Sequence, residues 1–353
     1  MERQRLDWKD KILFAGIDLH KNKWVTSVRT SEVLLKTFVT EPDKQILLRT
    51  FLHIWPGAKI NAAYEAGCFG YHLAEFLNSN NIHTQIIAAH TIPTAPGNFT
   101  KTDILDSKKI AFELAKGTIS GIYQRSQDEL FDRYLLRKRR QLVKRKKQLQ
   151  VQIKADLLFF GIEINFPLKE YLSRRTLNKL KELEVPNLVF KTLFNLFIVE
   201  YERIKEQLKI INNMLSALVE SEKYRERVQL LRTVPGVGAL TAITFLLEIG
   251  DFSRFTSAEK FASYLGLTPS EFSSGDKNRK GSLSGMGHSD LRALLVEISW
   301  QAIKKDPALL EKFERIGVGK SKCQAIVAIA RTLAIRIRKV ILTKEPYVIG
   351  VIR

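Results

Sequence analysis

At 353 residues, 45% of them hydrophobic, the chain is long enough to build two or three cores, which excludes wholesale disorder. Its 57 Lys and Arg against 37 Asp and Glu leave a net charge of +20 and a pI near 9.8. That balance calls for a polyanionic partner, most commonly nucleic acid, and makes a membrane anchor or a disulfide-stapled secreted fold the poorer reading.

The opening residues, MERQRLDWKD, are too charged to begin a signal peptide. From there the chain alternates. Ile12 to Ile17 reads as a short apolar strand ending at Asp18. Trp24 to Arg29 and Glu32 to Val39 read as a hairpin turning near Thr30 and Ser31. Lys44 to Trp55 has helical spacing, with Asp43 placed to cap it and Pro56-Gly57 to stop it. Lys59 to Tyr64 is a strand running into Glu65, Tyr71 to Leu77 a helix, and His83 to Ala88 a further strand. This order predicts an α/β domain over residues 1–125, a mixed sheet with helices packed on it.

Pro93, Pro96 and Gly97 mark residues 91–102 as a loop, and a helix follows from Asp103 to Lys116. Residues 128–158 and 188–220 read as long helices within a helical middle region, 126–224. In the second, Phe197, Tyr201, Ile204, Leu208, Ile211, Leu215 and Leu218 recur at alternating gaps of four and three, an a/d seam of coiled-coil type. Leu135, Leu142 and Leu149 stand seven apart in the first. The two helices therefore suit an antiparallel hairpin, an intermolecular bundle that would make a dimer or tetramer, or an ordinary helical core. The longest apolar run, Leu188 to Val199, is broken by Lys191 and Asn195 and is far too short to span a bilayer. With Cys68 and Cys323 the only cysteines, a soluble, cytoplasmic protein is expected.

Within the first long helix, Arg137 to Lys147 reads RKRRQLVKRKK, eight basic positions in eleven. A charge run is usually a solvated face. On so basic a chain, Arg137, Lys138, Arg139, Arg140, Lys144 and Arg145 become candidates for nucleic-acid contact. The remainder, 225–353, reads as a mainly α domain. Its VPGVGALTA segment, Val234 to Ala242, places a Pro-Gly-x-Gly turn between apolar helical stretches. This is either a plain tight turn or a helix-hairpin-helix, in which Gly236 and Gly238 would let backbone N–H groups meet a phosphate.

Four acids form the first chemical constellation. Asp18 and Glu65 each close a strand, and Asp103 and Asp106 lie three apart at a helix start. Carboxylates from separate elements converge at a cost unless a cation sits among them. Two Mg²⁺ ions roughly 3.5–4 Å apart would meet that need and would activate oxygens on either side of a phosphorus; Mn²⁺ is the alternative. Taken alone, Asp103 reads equally as a helix cap. The second constellation is the polar stretch from Thr268 to Gly287, read as a loop. It carries Ser273, Ser274 and Gly275, followed by Lys277, Arg279 and Lys280. Such a serine accepts a phosphoryl group where cations stabilise the transition state, and otherwise belongs to a plain polar loop. GVGKSK, Gly317 to Lys322, is no P-loop, because the position five before Gly319 holds Glu314. The six histidines pair with no cysteine cluster, so structural zinc has no support.

FAGIDLHKNKW, YEAG and KTDILDSKKIAFELA resemble the three acidic motifs of the DEDD transposases, insertion-sequence family one-ten, whose relatives include the Piv-type DNA invertases. QLLRTVPGVGALTAITFLLEIGDFSRFTSAEKFASYLGLTPSEFSSG, followed by GMGHSDLRALL, is similar to the C-terminal transposase domain of the same family. The resemblance implies a RuvC-like, RNase H-type first domain with Asp18, Glu65, Asp103 and Asp106 as its metal-binding acids. It implies a nucleophilic serine at Ser274, with each subunit lending acids to another's serine. It also implies DNA partners (element ends and target), a guide RNA from the element, and a nucleoid-associated location. The alternatives are a site-specific invertase using the same residues, a RuvC-like nuclease that needs the acids and not Ser274, and a non-catalytic scaffold. Two positions depart from the family pattern: Ser284-Gly285, where a basic residue is common, and Cys68, where small or hydroxyl residues are usual.

Overall fold

The computed structural model describes residues 7–92, 102–168, 172–185, 187–274, 277–283 and 285–350. The expected loop prolines Pro93 and Pro96 with Gly97, the glycine Gly275 and the serine Ser284 lie outside them, as do the first six residues. The chain divides into two compact units, residues 1–125 and 126–353.

In the first unit, β1 (Ile12–Leu19), β2 (Trp24–Arg29) and β3 (Leu34–Thr40) form an antiparallel meander. Helix α1 (Lys44–Ile54) follows. Asp43 caps it by accepting from the backbone N–H of Gln45 at 2.6 Å and Ile46 at 3.3 Å. Strand β4 (Lys59–Glu65), helix α2 (His72–Ser79) and strand β5 (His83–Ile87) complete a five-stranded sheet of order β3-β2-β1-β4-β5, in which β1, β4 and β5 run parallel. One face packs against α1 and α2 through Leu13, Ala15, Ile17, Phe51 and Tyr64, all fully buried. Helix α3 (Asp103–Lys116) covers the other face with Ile110 and Leu114 against Ala63 and Ile87. Gly16 explains how closely it comes: a Cβ there would stand 2.2 Å from the Ser107 carbonyl oxygen and 2.4 Å from the Ala111 nitrogen. A Ser27–Ser107 hydroxyl contact of 2.8 Å fixes the crossing from β2.

The second unit opens with α4 (Gln127–Phe159), held at its start by a capping box between Ser126 and Glu129. After α5 (Arg174–Lys181), helix α6 (Leu188–Glu220) returns alongside α4. Their contacts run antiparallel, Arg139 with Asn212 and Arg145 with Glu200. The expected seam is buried at Tyr201, Ile204, Leu208 and Leu215. Towards the start of α6 it shifts to Phe194 and Ile198, with Phe197 only partly covered. Within one chain, then, the seam closes as a hairpin.

Helices α7 (Arg225–Arg232), α8 (Ala239–Ile249) and α9 (Ala258–Tyr264) lead to the stretch expected as a loop. It is instead a β-hairpin, β6 (Pro269–Ser274) and β7 (Lys277–Leu283), paired antiparallel. A ladder is made by backbone groups, so strands this polar carry no alternation to reveal them. Helices α10 (Ser289–Ala302), α11 (Pro307–Gly317) and α12 (Lys322–Thr343) pack with α7, α8 and α9 around Phe245, Phe261, Leu291 and Leu333. The glycine-rich run at 317–322 ends α11 and starts α12, where Ser321 and Gln324 form a capping box. Among the described residues no helix is long and apolar enough to cross a membrane.

Candidate active site

Strand periodicity sets the acids. Gly16 and Asp18 share the face of β1 that α3 covers, and the tolerance for a close helix at Gly16 brings the start of α3 to Asp18. Thr102 caps that helix, its hydroxyl accepting from the Leu105 N–H at 3.3 Å, so Asp103 is the first helical residue and not the cap. Asp18 and Asp103 are joined by His20, whose Nε2 lies 3.0 Å from Asp18 Oδ2 and 3.3 Å from Asp103 Oδ1. Lys23 Nζ stands 2.7 Å from Asp103 Oδ2. Ligand atoms of Asp18, His20 and Asp103 all lie within 4.8 Å of one another.

Opposing effects act on the two carboxyls. Burial raises the Asp18 pKa above the ordinary aspartate value; the His20 hydrogen bond and charge act against this, and Asp103 and Asp106 add to the rise. The Lys23 hydrogen bond lowers that of Asp103. Asp106, one turn along α3, thus adds its negative charge to the surroundings of Asp18. Glu65 is exposed and stands outside the three-residue group. Its place is nonetheless adjacent: Ile17 pairs with Tyr64, so Asp18 and Glu65 are the next residues on neighbouring strand ends, and both lie on the α3 face. His20 and Lys23 are not among the residues that the sequence singles out. His20 was legible, since it stands two residues beyond Asp18 and a strand returns every second side chain to one face.

The serine lies in the second unit. Hairpin register puts Ser274 opposite Lys277, Ser273 opposite Asn278 and Phe272 opposite Arg279, with Lys280 opposite Glu271. The two serines and the three cations are therefore brought to one hairpin. The Pro-Gly-x-Gly turn joins α7 to α8. Gly236, at φ +84°, passes α10 so closely that a Cβ would meet the Ile298 carbonyl oxygen at 2.7 Å. Gly238 starts α8 without a side-chain cap, and Arg232, Gln301 and Lys305 line the groove beside the turn.

The basic run on α4 is not one solvated face. Arg137 and Arg140 reach Glu248 of α8, as does Arg133. Arg139 donates to Asn212 at 2.7 Å, Lys138 to Gln141 at 3.1 Å, and Arg145 pairs with Glu200 on α6. Lys144 is exposed. Glu248, fully buried, was also missed; a single acid inside the apolar run ITFLLEIG is the signal that a cationic partner must come from elsewhere.

Residues 228–314, from α7 to within α11, match the model of the Transposase IS116/IS110/IS902 family. The transposase for insertion sequence element IS1328 of Yersinia enterocolitica is 27% identical over 288 residues, covering 81% of this chain and 82% of that protein. The transposase for insertion sequence element IS1533 of Leptospira borgpetersenii is 27% identical over 299 residues, 82% of this chain and 85% of that protein. The pilin gene-inverting protein of Moraxella bovis is 38% identical over 124 residues, 34% of this chain and 38% of that protein. Over residues 228–314 the chain is thus similar to the IS116/IS110/IS902 transposase family, and over most of its length to transposases of insertion sequence elements.

Proposed function

We propose that this protein is a DNA recombinase of insertion-sequence type that cleaves and rejoins strands with the Asp18 acids and Ser274. The observation that carries the reading is the convergence of Asp18 and Asp103, drawn from a strand and a helix start by the crossing at Gly16. The sheet order and the helix on the acid-bearing face also suit a RuvC-like, RNase H-type domain.

The donor set fits a hard divalent cation. Carboxylate oxygens from two elements are crowded together with an imidazole nitrogen beside them, and burial disfavours the charge on Asp18. Asp18, Asp103, Asp106 and Glu65 would hold Mg²⁺, which supplies positive charge against the phosphate oxygens as negative charge builds on them. His20 and Lys23 hold the two acids in place, and the acids of one subunit serve the serine of another. The Ser274 hydroxyl displaces a deoxyribose oxygen from phosphorus. The resulting phosphoserine ester keeps the bond energy, so the strand is rejoined without ATP.

The basic hairpin and α4 supply backbone charge, while pairing with an element-encoded RNA selects the sequence. Protomers assemble as a dimer or tetramer through faces of the long helices that the intrachain seam leaves exposed, and the protein acts on the nucleoid. The likeness to the pilin gene-inverting protein supports a second reading, inversion between fixed sites by the same residues.

The test is Mg²⁺-dependent cleavage of labelled element-end DNA in the presence of the element's RNA. Asp18→Asn and Asp103→Asn should each lower the cleavage rate by at least about 100-fold, the scale of losing a metal-held catalytic group. Cleavage at the wild-type rate in both variants removes the acids from the chemistry and overturns this mechanism.

A further inference from the structure

Glu248 is the one charged residue of α8, and its side chain has no exposed surface. A carboxylate taken out of water needs close compensation, and two groups provide it. Arg133 Nε lies 2.8 Å from Oε2 with the arginine mostly covered, and His288 Nε2 lies 3.3 Å from the same oxygen. The Nδ1 of His288 accepts the Leu291 N–H at 3.3 Å, capping α10, so the ring proton sits on Nε2 and is donated to Glu248.

Two more guanidinium groups then gather on the same carboxylate. Arg140 Nη1 reaches Oε1 at 3.4 Å and Arg137 Nη2 reaches Oε2 at 3.5 Å, with 37% and 49% of their side chains still exposed. Arg133, Arg137 and Arg140 follow one stripe of α4, at i, i+4 and i+7. Three guanidinium charges around one carboxylate leave an excess that repels itself. The half-exposed Asp290, paired with Arg140, offsets part of that excess. A structural ion pair would be complete with Arg133. The outer two arginines are held on the carboxylate yet stay partly exposed, an arrangement suited to the oxygens of a phosphate.

We infer that Glu248 is a positioning residue: it presets Arg137 and Arg140 as a paired grip on a nucleic-acid backbone phosphate. Through His288 it also ties that grip to the link between the serine hairpin, which ends at Leu283, and α10. The inference rests on the nucleic-acid reading above and adds which cations are aimed and by what.

The experiment titrates the full-length protein against a fluorescein-labelled duplex DNA of unrelated sequence over a series of KCl concentrations. Each neutralised phosphate that is lost lowers the steepness of log affinity on log salt by about 0.9. Arg137→Gln/Arg140→Gln should lower it by about 0.9, because the pair grips one phosphate, with far-UV circular dichroism unchanged because both side chains are partly in water. Glu248→Gln should weaken binding about tenfold at fixed salt, roughly the worth of one well-made charged hydrogen bond. It should add no further loss in the background of the double arginine variant, and Glu248→Asp should recover part of it. A wild-type slope in the arginine variant overturns the inference and leaves the nucleic-acid reading standing. So does additive loss from Glu248→Gln in that background, which marks a merely structural ion pair. A wild-type protein whose binding ignores salt overturns both.

Discussion

Gly16 is the residue on which the acid site turns. Any side chain there drives into the backbone of α3, so Gly16→Ala must either push the helix off β1 or strain it. It should destabilise the protein by about 1–3 kcal/mol, read by urea unfolding, and should cost DNA cleavage as well, because Asp103 travels with the helix. A cleavage rate that survives the destabilisation would separate the crossing from the site. Glu248 gives a pH signature. Burial disfavours its charged form, yet the His288 hydrogen bond and the charges of Arg133 and Arg137 outweigh burial and hold the carboxyl far below the ordinary glutamate value of 4.5. A folded-state pKa that is depressed contributes stability in full above about pH 4.5, and that contribution is lost as pH falls below it. Glu248→Gln should therefore be less stable than wild type by about 3 kcal/mol at pH 7, with the gap shrinking from pH 4.5 downward. A gap that is constant from pH 7 to pH 3 would mean the carboxylate's charge is not what stabilises.

Helices were the most legible elements, and each for a nameable cause. Asp43 and the apolar spacing after it mark α1, and the four-three rhythm from Tyr201 to Leu215 marks α6. The acids at β1, β4 and α3 were legible as positions because each closes or opens an element. Their mutual distances were not, since these depend on how closely α3 crosses β1, which follows from a tertiary contact at Gly16. The β6–β7 hairpin escaped because its pairing is in the backbone. The Glu248 node escaped because its arginines lie more than 100 residues away in sequence, beyond the reach of any local period. Two substitutions test the elements themselves. Thr102→Ala removes the cap of α3 and should cost about 1 kcal/mol in unfolding free energy, with Thr102→Asn restoring it. Ile198→Ala opens a fully buried site between α4 and α6 and should cost about 2–5 kcal/mol. A loss below about 0.5 kcal/mol in the same unfolding measurement would show that the hairpin does not depend on this seam.

In the proposed reading of the whole molecule, the +20 charge, the acids of the first unit and the serine hairpin of the second serve one chemistry. A nuclease needs the acids alone, a scaffold needs the charge alone, and a recombinase uses all three. A covalent ester to serine keeps the phosphodiester bond energy for rejoining without ATP, whereas water as nucleophile discards it. The decisive measurement is a denaturing gel of labelled element-end DNA incubated with the protein, the element's RNA and Mg²⁺. A protein–DNA adduct that forms with wild type, fails with Ser274→Ala and disappears on chelation is the result predicted. Cleavage that persists in Ser274→Ala, with no adduct in either protein, would contradict the serine mechanism and leave a metal-dependent nuclease.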